Sequence, residues 1–290
     1  MGYDFAFYWL AARSIVAGHS PYLIDGFMSP PPFAIIMVPL GLISFDTAWW
    51  IWTLINVVSL VVLAKKQSLK ALLFLPVAFA IFVGQMDLPI LALGLYGGWM
   101  GLALTALKPQ LAVWIIPFVF YRWWREGKIK DIVLTIASLS FLYGLPLLLV
   151  PSWWTEWRNN SPSIFQYAEH ASSLYGISAL TSFPVISFFV IALLSGVIFV
   201  VWHPVSPRQF WCFVALFNPV SNAYSLCVLI DQLDWVSIVL SWIALILSSY
   251  VHTGLSFIII PIYMLLHHSQ FRISQRKLVS SVRSALINAP

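Results

Sequence analysis

The chain has 290 residues, 61% of them hydrophobic and only 9% charged, with 15 tryptophans and 21 phenylalanines. A soluble domain carries about a quarter charged residues, so this apolar surplus exceeds what a water-soluble core of this size hides. Lipid is then the solvent, and the composition reads as an all-α polytopic membrane protein. A β-barrel is excluded, because its strands alternate over roughly ten residues and the apolar runs here are continuous. The net charge of +5 sits in basic residues scattered beside hydrophobic segments, which argues topology and says little for a nucleic-acid partner, so none is expected.

The start, "MGYDFAFYWLAARSIVAGHSPY", has no basic stretch ahead of an apolar run, so no cleavable signal peptide is expected. Residues 1–45 read as an extracytoplasmic segment with interfacial helices. Asp4, among Tyr3, Phe5, Phe7, Tyr8 and Trp9, is open to two readings: a helix-start carboxylate at the membrane surface, or a general base in an outward pocket. The stretch "AGHSPYLIDGFMSPPPFAIIMVPLGLI" is punctuated by Gly and Pro, as suits a stiff surface loop and a short helix. His19 and Tyr22 are the polar groups it could present to a substrate.

Residues 46–268 form the transmembrane region of one membrane domain. Eleven candidate spans are read as 46–64, 69–83, 86–96, 99–107, 109–121, 131–150, 184–202, 208–220, 223–233, 235–250 and 254–268. Several fall short of the roughly 20 residues a full crossing needs. The group from 86 to 121, with Gly84, Gly94, Gly97, Gly98, Gly101, Pro89 and Pro109, is expected to be short or broken helices enclosed by protein. Within it "FVGQMDLP" offers Gln85 and Asp87, where Asp87 either caps a helix or serves a site. "LTALKPQLAVW" offers Lys108 and Gln110 beside Pro109. These suit either a snorkelling lysine or an anion site for a phosphate at a helix N-terminus.

Further along, "FNPVSNAYSL" interrupts apolar sequence with Asn218, Ser221, Asn222 and Tyr224, groups able to hydrogen-bond into a cavity or to satisfy a local break. Cys212 and Cys227 lie in apolar segments and read as buried hydrophobes. His170, His203, His252, His267 and His268 show no metal-ligand spacing, so neither a metal nor a cofactor is expected. Asn159 heads an Asn-Asn-Ser sequon, relevant where the host glycosylates this loop.

Charge sets the orientation. Placing Lys65–Lys70, Arg122–Lys130, Arg208 and the basic tail 269–290 in the cytoplasm gathers there all but Arg13, Lys108 and Arg158 of the 15 Lys and Arg. This positive-inside asymmetry puts residues 1–45, "GQMD", Lys108, the 151–183 loop and "NPVSNAY" together on the outer face.

These pieces in this order resemble glycosyltransferase family 87. "YDFAFYWLAARSIVAGHSPY" followed by "SPPPFAIIMVPLGLIS" is similar to that family's first extracytoplasmic segment. "VGQMDLPILAL" is similar to its Gly-Gln-x-Asn stretch, with Asp87 in place of Asn. "LALTALKPQLAVWIIPFVFYRWWRE" is similar to its Lys-Pro segment, and "NPVSNAYSLCVL" to its late Asn-Pro segment. The resemblance covers nearly the whole chain and implies a GT-C-like bundle of about 11 transmembrane or partly spanning helices. It implies an inverting hexosyltransferase that moves a sugar, mannose above all, from a polyprenyl-phosphate donor to a lipid or glycan acceptor outside the cell membrane. Asp4 then takes the catalytic base, and Lys108 with Gln110 the donor phosphate. Tyr8, His19, Tyr22, Gln85, Asp87, Asn218, Asn222 and Tyr224 would line the substrate site. The partners implied are the bilayer, the lipid-linked sugar and a glycolipid or glycan acceptor. Two departures stand out. The family's first transmembrane helix is absent, so one is expected to precede this start, and Asn222 and Tyr224 occupy the stretch where mannosyltransferase members can carry histidine. A transporter or lipid flippase, which should show internal repeats, and an inactive family member are the competing readings.

Overall fold

Helix is the sole regular structure among the described residues, which in this computed structural model are 2–161, 171–181, 183–202, 206–218, 222–251 and 254–267. Apolar runs in lipid must satisfy their own backbone, and helices do so within one segment.

Helix α1 (Tyr3–Val16) buries Phe5, Tyr8, Ala11 and Ala12, a stripe at helical spacing, and packs closely against α2 (Pro31–Gly41). Ser44 caps α3 (Phe45–Ala64), its hydroxyl accepting from the Thr47 N–H at 3.3 Å. With α4 (Ser68–Leu73), α3 makes one segment long and apolar enough to cross a membrane, Phe45–Leu73; α9 (Ile129–Leu149) is another. A third arises if α5 (Leu75–Val83) and α6 (Asp87–Tyr96), bent by 110°, count as one broken span. Trp50, Leu54, Val58 and Val61 on α3 and Val133, Ile136, Phe141 and Leu148 on α9 face outward. Two apolar faces of this kind suit hydrocarbon contact. α9 buries Thr135 and Pro146 alone among its side chains, so it lies at the periphery.

The remaining helices are α7 (Gly98–Leu104), α8 (Pro109–Arg125), α10 (Pro151–Asn160), α11 (Pro184–Trp202), α12 (Pro207–Phe217), α13 (Trp235–Val251) and α14 (Gly254–His267). Several helix limits fall close to the sequence expectation. Among the described residues, however, two helices, or three spans with the bent pair, rather than eleven are long and apolar enough to cross a membrane. Three segments also differ in build. The 69–83 segment is two helices parted at the extended Phe74, because Pro76 has no N–H to bond the carbonyl one turn back. The 99–107 segment finishes in a 3₁₀ turn, Thr105–Leu107, ahead of Pro109. The 223–233 segment is a 3₁₀ coil, Ala223–Gln232, rather than an α-helix. The expected basic tail lies outside the described residues, as do Ser221, His170, His203, His252 and His268.

Contacts gather the basic loops at one end. The Lys70 ammonium donates to the Leu233 carbonyl at 2.7 Å, and Gln232 donates to the Arg208 carbonyl at 3.3 Å. Phe118, one turn before Arg122, stacks on Phe210 near Arg208, with centroids 4.4 Å apart. Lys65 sits 5.8 Å above the Tyr96 ring, at the far end of α6 from Asp87. α8, with its 17 residues, puts Lys108 about 25 Å from this basic end. Cys212 and Cys227 are buried thiols, as expected.

Candidate functional site

Three interruptions in apolar sequence meet at the end of the molecule opposite the basic loops. The first is made by Gly84. It takes φ 78° and ends α5 in a Schellman turn, its own N–H reaching the Ile81 carbonyl at 3.2 Å and the Gln85 N–H reaching Ala80 at 2.8 Å. That turn reverses the chain, so that Gln85 leaves α5 pointing into the bundle and Asp87 becomes the first residue of α6. The Trp52 indole N–H donates to the Gly84 carbonyl at 2.8 Å, and the Gly2 N–H reaches the Phe82 carbonyl at 2.9 Å. The start of α1 is thereby docked onto the break. Phe5 stacks on Trp52 at 5.8 Å and tilts against Trp49 at 5.6 Å, which anchors α1 beside it.

The second interruption is Lys108 before Pro109, and the third is marked by Asn218, just after α12, and by Asn222. Together they build a continuous polar chain. The Gln85 amide nitrogen donates to the Asp4 carboxylate, and its carbonyl accepts from the Tyr8 hydroxyl and from the Lys108 ammonium, both at 3.2 Å. Lys108 also pairs with Asp87 and lies 4.9 Å above the Tyr224 ring, whose hydroxyl accepts from Asn222 at 2.5 Å. Gln85, Asp87, Lys108 and Tyr8 are all buried, while Asp4 is half-buried and is the open end of the chain. Asp87 offers its second oxygen, Oδ1, to no hydrogen-bond partner among the described residues.

Electrostatics follow from this burial. Loss of water raises the Asp4 carboxyl above the ordinary carboxylate value; the Gln85 hydrogen bond and the Lys108 charge pull it back, and Asp87 pushes it up again. Burial, with the neighbouring Asp4, Tyr224 and Asp87, drives the Tyr8 phenol well above its usual range, so Tyr8 stays a protonated donor.

The residues expected to share a site therefore divide. Asp4, Tyr8, Gln85, Asp87, Lys108, Asn222 and Tyr224 come together. Asn218 and Gln110 stand beside them, the Asn218 side chain donating to the Gln110 carbonyl at 3.4 Å. His19 is exposed on the loop after α1. Tyr22 belongs to another cluster: its hydroxyl donates to the Ser29 carbonyl at 2.8 Å, Asn160 donates to its carbonyl at 2.9 Å, and Ser20 donates to Glu156. Lys108 differs from the open ammonium expected of an anion site. Asp87 neutralises it, Gln85 takes a second N–H, and the face of Tyr224 covers it. Buried Asn56, which donates to the Trp52 carbonyl at 3.1 Å, was not singled out in the sequence; an asparagine within the apolar run of α3 was the available signal.

Fold and site thus define an all-α protein with membrane-capable helices and a buried, charged polar cluster at one end. No protein-family model, no curated protein and no solved structure matches the chain.

Proposed function

We propose that this chain is an inverting, polyprenyl-phosphate-sugar-dependent glycosyltransferase of the family 87 kind, built as a GT-C-like bundle whose shorter helices complete the crossings. Its site lies on the extracytoplasmic side of the cell membrane. The observation that carries the reading is the half-buried Asp4 carboxylate at the open end of the Asp4–Gln85–Lys108–Asp87 chain, a helix length away from the basic loops. In this reading Asp4 takes the proton from an acceptor hydroxyl as its oxygen attacks the anomeric carbon. The bond from that carbon to the lipid phosphate oxygen breaks, and the phosphate leaves with the electron pair. Tyr8 and Asn222 are neutral hydrogen-bonding groups of the cluster that would orient a sugar.

The test is transfer of labelled mannose from polyprenyl-phosphate mannose by the full chain in lipid nanodiscs, offered glycolipid acceptors, beside the Asp4→Asn variant. General-base catalysis contributes about 10²–10⁴-fold, so the variant should lose that factor while it still binds donor. Equal transfer by folded Asp4→Asn would remove Asp4 from the chemistry. The bent α5–α6 pair around a buried charge pair also fits a transporter, whose sites form at broken helices. Donor crossing the bilayer intact, without sugar transfer, would favour that reading.

A further inference from the structure

We infer that Asp87, Lys108 and Gln85 form a one-way polar relay that holds the Asp4 carboxylate as a hydrogen-bond acceptor, making Lys108 a positioning residue that acts on Asp4 through Gln85. This deepens the reading of Asp4 as a base and rests on it for its catalytic meaning.

A glutamine amide can turn either end toward a neighbour, and here the neighbours choose. Tyr8 presents a hydroxyl and Lys108 an ammonium, which has donors and no acceptor. Both meet Gln85 on the carbonyl side, each at 3.2 Å. The amide NH₂ is therefore turned toward Asp4, where it requires an acceptor. Lys108 cannot rotate away, because Asp87 holds it and the Tyr224 ring covers it at 4.9 Å. Water does not compete inside the chain, since Asp87 and Lys108 are only 1% and 3% exposed.

The ammonium charge is thus carried to Asp4 by a fixed dipole across a dry gap, where such interactions are strong. The charged and titratable groups around Asp4 are Tyr8 on its own helix, Asp87 and Lys108 from the two breaks, and Tyr224 behind Lys108. Tyr8 stays neutral, and Asp87 and Lys108 cancel. Removing Asp87 and Lys108 together therefore leaves the net charge of the site unchanged. Gln85 is then free to turn its carbonyl toward Asp4, so that the carboxylate loses its donor and gains a repelling dipole. Asp4 should hold its proton to higher pH.

Peptide-resolved mass spectrometry of the full chain, treated with dicyclohexylcarbodiimide across a pH series in detergent, reads the protonation of Asp4 without any need for activity. The Lys108→Met/Asp87→Leu double variant should move the Asp4 labelling midpoint up by about one pH unit. Gln85→Met, which cuts the same link and leaves the charge pair intact, should move it in the same direction. Asp87→Asn keeps the Lys108–Gln85 contact and removes a negative neighbour, so it should move the midpoint down. An unmoved midpoint in folded Gln85→Met overturns the relay, whether or not the double variant folds. Loss of transfer in Asp4→Asn together with that unmoved midpoint would leave the base standing and remove the relay. Shifted midpoints with transfer intact in Asp4→Asn would do the reverse.

Discussion

Asp4 sits where four influences oppose one another, burial and Asp87 against Gln85 and Lys108, and their balance has a kinetic consequence. Burial raises its carboxyl above the ordinary value, while the Gln85 hydrogen bond and the Lys108 charge favour the ionised form. A base works deprotonated, so a raised value means that activity rises with pH through a midpoint above the usual carboxylate range. The acidic limb of kcat/KM should lie there in the wild type; a limb near pH 4 would mean that another group carries it. The Lys108–Asp87 pair has a stability consequence at the same scale. Removing one member strands a buried charge, so Lys108→Met should lower unfolding stability by about 3–5 kcal/mol. The Lys108→Met/Asp87→Leu double variant should recover much of that loss, because apolar groups of similar volume replace the pair. Thermal unfolding in detergent distinguishes the two outcomes, and equal stability of the single variant would show that Asp87 is not left without a countercharge.

At the level of the elements, the site depends on how α5 ends. A Cβ at Gly84 would lie 2.6 Å from the Phe5 Cβ and 2.7 Å from the Trp49 ring, at a φ that L side chains rarely adopt. Gly84→Ala should cost about 2–4 kcal/mol, joining left-handed strain to overpacking. It should also displace Gln85 from Asp4. Gly127→Ala is the control, with φ 73° and open space around it, and should cost the backbone term alone. Similar losses for the two would mean that the α1 contact adds nothing. Much of this level was legible in the sequence. Hydropathy and the Gly/Pro punctuation placed α3, α6, α9 and α11 within a residue or two, because a run of apolar side chains ends where its polar or helix-breaking residues begin. The 3₁₀ geometry of Ala223–Gln232 was not legible, since its apolar content suits either helix and packing against α5 and α12 decides the winding. Asp4, Gln85, Asp87 and Lys108 were visible one at a time as polar residues in apolar surroundings. Their pairing was not, because Asp87 and Lys108 are joined only when α6 and α8 pack with their N-termini together.

For the whole molecule the separation of two ends matters most. Lys65, Lys70, Arg122, Arg125 and Arg208 lie at one end and Asp4, Gln85 and Lys108 at the other, joined by α8 over about 25 Å. The hydrocarbon core of a bilayer is about 30 Å thick, and basic residues favour its cytoplasmic side. The expected arrangement therefore places a membrane between the two ends, with the polar cluster facing out. His19, on the loop after α1, and Lys66, between α3 and α4, are exposed reporters of the two sides. The native Cys212 and Cys227 are buried, so they should give little background with a membrane-impermeant maleimide. In intact cells His19→Cys should label and Lys66→Cys should not; in inverted vesicles the pattern should reverse. Labelling of both from one side would put the basic loops and the cluster in the same compartment. Reversed labelling, with His19→Cys reached only from the cytoplasm, would place Asp4 inside. An acceptor outside the membrane could not then reach it, and the proposed transfer would have to work on cytoplasmic substrates or not at all.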